Sequence, residues 1–65
     1  MNAQEIKQLV DEGKTVCWSN QGYVVTKDSL GQYFIKFIPN GHVIGLTWLD
    51  GVTLNGAPED FFVVE

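Results

Sequence analysis

The amino-acid pattern predicts an α+β fold: a short N-terminal helix followed by a small antiparallel β-meander of four to five strands. Three observations carry that expectation. Apolar residues at positions 3, 6, 9 and 10 repeat with helical spacing. Beyond Gly13 the apolar period drops from about 3.6 to about 2, the change expected where a helix gives way to strands. Turn-forming clusters then recur at roughly ten-residue intervals between short β-prone runs, as in consecutive hairpins.

The helix is expected over residues 3–12. Asn2 is a good N-cap, and Glu5 three residues later completes a capping-box pattern. Ala3, Ile6, Leu9 and Val10 form one apolar stripe, with Gln4, Lys7, Gln8 and Asp11 on the other face. Gly13 suits the left-handed residue that ends a helix, and Lys14 complements the negative end of the dipole. A helix of about three turns does not persist alone in water, so its stripe must dock on something.

Thr15-Val16-Cys17-Trp18 is the first β-prone run, ended by a polar turn over Ser19-Asn20-Gln21-Gly22. Tyr23-Val24-Val25-Thr26-Lys27 is the second, ended by Asp28-Ser29-Leu30-Gly31. Residues 32–38 make the strongest strand, which Pro39-Asn40-Gly41-His42 turns into a fourth run over residues 42–48. No helical period intervenes, so neighbouring strands are expected to be antiparallel. Asp50-Gly51 and Asn55-Gly56 bracket Val52-Thr53-Leu54, which reads either as a very short strand or as part of a structured loop. Ala57-Pro58-Glu59-Asp60 suits one helical turn, and Phe61-Phe62-Val63-Val64 a final buried strand.

Size bounds the architecture. Residues 1–65 allow a single domain, and a chain of this length buries only about 60% of its unfolded surface. With one cysteine there is no intramolecular disulfide, and one cysteine with one histidine makes a poor zinc ligand set, so neither metal nor cofactor is expected. Packing must supply the stability, through four Phe, two Tyr and two Trp within a 45% hydrophobic composition.

Four lysines, no arginine and eight carboxylates give a net charge of −4, the opposite of a phosphate-binding footprint. Nucleic acid is therefore an unexpected partner. The N-terminal residues lack the basic start and apolar run of a signal peptide, and no apolar stretch nears the roughly 20 residues of a membrane span. A lone thiol in a chain with those features points to the cytoplasm, with no membrane partner.

Strand alternation gives the most informative feature. Tyr33, Ile35 and Phe37 share one face, opposite Phe34, Lys36 and Ile38; Tyr23, Val25 and Lys27 oppose Val24 and Thr26. His42, Ile44, Leu46 and Trp48 likewise oppose Val43, Gly45 and Thr47. Both faces are more apolar than one helix can cover. The second face must close on itself as a partly closed barrel, be covered by the C-terminal segment, or meet another chain.

Reactive groups are scarce. Cys17 and His42 are the only soft nucleophile and the only neutral-pH base, and no flanking residues supply an orienting group or an oxyanion site, so an enzyme using Cys17 and His42 is the remotest reading. The carboxylates fall at helix ends and turns, and no glycine loop stands between a strand and a helix to cradle phosphate. Trp18, Tyr23, Tyr33 and Trp48 are the candidate partner-binding set, since Trp and Tyr dominate interface hot spots. The same rings on a sheet, with Lys27 and Lys36 beside them, make an alternative platform for stacking single-stranded nucleic acid, against which the net charge weighs. The expected function is a non-enzymatic interaction or regulatory protein, adaptor- or inhibitor-like. Its partner is expected to be another protein or a second copy in a homodimer.

Overall fold

The computed structural model describes residues 1–64. Helix α1 (Ala3–Asp11) starts with the capping box that Asn2 and Glu5 announce. Asn2 Oδ1 accepts from the Glu5 N–H at 2.8 Å, and Glu5 Oε1 accepts from the Asn2 N–H at 3.3 Å. Glu12 caps the other end, and Gly13 follows at φ +86°, a left-handed turn that costs a glycine little.

Five strands follow: β1 (Thr15–Trp18), β2 (Asn20–Lys27), β3 (Tyr33–Phe37), β4 (His42–Gly45) and β5 (Phe61–Val64), with a 3-10 turn at Pro58–Asp60. They form one antiparallel sheet in the order β4-β3-β2-β1-β5. The first four are a meander, and β5 returns to pair with β1. The sheet stays open, with β4 and β5 as its edges, so the barrel closure that the surplus apolar faces allowed is not adopted.

Two boundaries differ from the sequence pattern. No four-residue turn separates β1 from β2: Ser19 alone reverses the chain at φ 67°, setting Trp18 opposite Asn20. The register then slips so that Cys17 faces Val24, and Asn20 Oδ1 holds the bulge by accepting the Gly22 N–H at 2.8 Å. Strand β4 ends at Gly45 rather than near Trp48: the Leu46 N–H still donates to the Tyr33 carbonyl at 3.1 Å, but the Gly45 and Leu46 carbonyls accept from the Asn55 side chain and N–H, each at 2.9 Å. Val52-Thr53-Leu54 contributes one isolated bridge, Thr47 to Leu54, and no longer ladder.

The core consists of Ile6, Val16, Val25, Ile35, Leu46 and Phe61, with Leu9, Val10 and Leu54 packed against it. Residues 46–57 must travel from one sheet edge to the other, and they cross on the helix side. Leu46 is fully buried among core residues, Lys7 Nζ of α1 donates to the Gly51 carbonyl at 3.1 Å, and Gly56 lies against the Trp18 indole. No helix among the described residues is long and apolar enough to cross a membrane.

Candidate interaction surface

Pleating and register sort the strand side chains into two sets. On the helix side, Val63, Val16, Val25, Ile35 and Ile44 form a row across all five strands, flanked by Phe61, Trp18, Tyr23 and Phe37. Helix α1 and residues 46–57 cover most of this face, leaving Ile44 at its edge exposed.

The opposite face carries a second row running Phe62, Cys17, Val24, Lys36, Val43. Beside it, Phe34 stands between Thr26 and Gly45, and Val64 faces Thr15. Helix α1 and most of the crossover lie on the other side, although Trp48 and Leu49 share a groove with Phe34 at one end of this face, and Cys17 is fully buried among its neighbours. Phe34, Phe62, Val24 and Val64 are half-buried, and Val43 at the edge is 49% exposed. Lys36 is its only charged residue among the described residues, and it makes no ion pair or hydrogen bond there. The described strand residues carry no carboxylate.

The four aromatic residues singled out by type occupy different settings. Trp18 and Tyr23 are half-buried on the helix side, their rings edge-to-face at 5.1 Å, with Tyr23 stacked on Phe37 at 4.6 Å and Trp18 6.4 Å from Phe61. Trp18 Nε1 is buried and has no hydrogen-bond partner among the described residues, a cost of roughly 1–3 kcal/mol that the packing must outweigh.

Tyr33, also on the helix side, donates its hydroxyl to Asp11 Oδ1 at 2.7 Å. The Lys27 ammonium reaches the same oxygen at 2.9 Å and stands 5.2 Å from the Tyr33 ring centre. The Tyr33 hydrogen bond, then the Lys27 contact, holds the Asp11 carboxyl below its ordinary value; the bond to Asp11 raises both Tyr33 and Lys27.

Trp48 is 63% exposed on the crossover, next to the fully exposed Leu49. With Tyr33, Phe34 and Gly45 these two line an open groove of about 400 Å³ at one end of the sheet. The four rings thus make no common platform: two belong to the core rim, one to a polar cluster on the helix, and one to a loop.

Cys17 and His42 are not brought together. Two strands separate β1 from β4, about 14 Å at ordinary sheet spacing, and the side chains lie on opposite faces. Burial pushes the Cys17 thiol up, away from thiolate chemistry. No group of three or more His, Cys, Asp or Glu side chains gathers at metal-binding distance among the described residues.

Selection by residue type does not single out Phe34, Phe62, Val24, Val43 and Val64, which the strand pairing gathers on the face opposite α1. The alternation in β3 placed Phe34 with Lys36, but only the pairing of β5 with β1 brings Phe62 and Val64 onto the same side. The chain matches no protein-family model, no curated protein and no solved structure.

Proposed function

We propose that this chain is a non-enzymatic interaction module of regulatory, adaptor or inhibitor type, whose working surface is the sheet face opposite α1. One observation supports this above all: both faces are apolar, yet the helix and the crossover lie on the same one. That leaves Val24, Phe34, Phe62 and Val64 half-buried and Val43 49% exposed on the other face, and contiguous apolar surface of this kind is characteristic of sites that bind other proteins. Among the described residues the acidic groups sit on the helix, turns and loops, so their charge repulsion toward an acidic partner is weakest over this face.

The test compares the full chain with Phe34→Glu. Substitution on an uncovered face leaves the core untouched, so the variant should keep its helical and sheet circular dichroism and its unfolding midpoint. Wild type should either self-associate in light scattering across a concentration series or retain a partner from lysate, and Phe34→Glu should do neither. Identical behaviour of the two folded proteins would refute the proposal.

A further inference from the structure

The interaction reading leaves the partner open, and the inference here rests on it. The covered face shows how this sheet accepts a helix. Helix α1, nine residues long, lays Ile6, Leu9 and Val10 on the apolar row, while its Asp11 meets the strand lysine Lys27 at 2.9 Å. The open face repeats the same ingredients: an apolar row, Phe62, Val24 and Val43, interrupted by one strand lysine, Lys36, that nothing neutralises among the described residues.

We infer that the open face takes a partner's short amphipathic helix, about as long as α1, with a carboxylate beside its apolar stripe to meet Lys36. Charge complementarity selects this occupant. A lysine covered by apolar surface is costly unless paired, so the partner that covers Lys36 must bring an anion. A second copy laid face to face brings none from its described strand residues, and it adds a second unpaired Lys36. A basic or purely apolar partner meets the same penalty. Docking would convert two layers into three, helix–sheet–helix, with each strand lysine opposite a helix carboxylate.

The experiment is selection from an unbiased displayed-peptide library against the full wild-type chain, followed by titration of the enriched synthetic peptides into wild type, Phe34→Glu, Val43→Glu and Lys36→Glu. Enriched sequences should carry apolar residues at helical spacing with Asp or Glu beside the stripe, and should fail to bind Phe34→Glu and Val43→Glu. Binding should weaken about tenfold or more in Lys36→Glu, as expected for loss of a desolvated charge pair, and recover when the peptide carboxylate is changed to lysine. Binders that depend on Phe34 and Val43 but ignore Lys36, or that are basic or extended, would overturn the acidic-helix partner and leave the interaction reading standing. Dimerisation of the wild type that Phe34→Glu abolishes would do the same. Absence of any binder or self-association sensitive to Phe34→Glu or Val43→Glu would overturn both.

Discussion

The two faces of the sheet are built from the same kinds of residue and meet different fates. Ile35 and Phe34 are neighbours in β3, yet Ile35 is 1% exposed beneath α1 while Phe34 looks out from the uncovered side. Apolar content alone therefore does not locate a core; the core lies where connecting segments cross. Here the N-terminal helix and the return to β5 both lie on one side, so the two faces differ in cover rather than in composition.

The sharpest way to break that comparison is to truncate the neighbours in turn. Ile35→Ala should cost about 2–5 kcal/mol, since it removes a fully enclosed side chain from a site with little room to collapse. A domain this small commonly holds only about 3–5 kcal/mol in total, so the variant should be largely unfolded in buffer at 25 °C. Phe34→Ala should cost less than about 1 kcal/mol, because its ring gives up contact only with other partly wet side chains. Urea unfolding measures both. Comparable losses at the two positions would mean that the second face is as enclosed as the first.

Next in size is the seam where the crossover meets the sheet. A Cβ on Gly56 would come within 2.8 Å of Trp18 Cε2, and that ring is pinned by Tyr23 and Phe61. Gly56→Ala should therefore destabilise by about 1–3 kcal/mol through overpacking. Gly41→Ala is the control: its site is spatially open, and only its φ of +72° is strained, so the cost should stay near 1 kcal/mol. A neutral Gly56→Ala would show that the crossover is loosely seated and that even the helix-side cover is incomplete.

Much of this architecture was legible in the residues. The capping pair at Asn2 and Glu5, the period change after Gly13 and the turn at Pro39–Gly41 are local signals, and each appears where the pattern puts it. What was not legible depended on contacts distant in sequence. The bulge after Ser19 follows from matching β2 to β1 and β3 at once, and at the early end of β4 the Gly45 carbonyl accepts from Asn55, ten residues away. The candidate surface was half-visible for the same reason. Alternation said that Phe34 and Lys36 share a face, but not that residues 46–57 would cross on the other one. Selection by type picks Trp18, Tyr23 and Tyr33, which the helix-side packing already engages, and Trp48, which stands exposed on the crossover.

A smaller effect tests whether the helix docks as a preformed unit. Asn2→Ala deletes the acceptor for the Glu5 N–H and should cost about 1 kcal/mol, visible as a lower urea midpoint with unchanged slope. An unchanged midpoint would mean that docking of the apolar stripe, rather than the cap, holds the first turn.

The smallest effect is a dependence on acid that belongs to one face alone. In the crossover, Asp50 accepts from the Thr53 hydroxyl at 2.6 Å and from the Thr53 and Val52 N–H groups at 2.9 Å. These bonds, the hydroxyl first, lower its pKa from the ordinary 3.8 to about 2. A carboxyl whose pKa is lower in the folded state favours folding fully above about pH 4 and loses that contribution as pH falls through about 2. Asp11, lowered by Tyr33 and Lys27, acts in the same direction. The thermal midpoint of the wild type should thus drop on acidification below about pH 4, and Asp50→Asn should make the drop shallower. Lys36→Gln, on the opposite face, where no described residue is a carboxylate, should leave the slope unaltered. If Lys36→Gln flattened the slope as much as Asp50→Asn, an acidic group would have to stand against Lys36 within the isolated chain, and that cation would not be free for a partner.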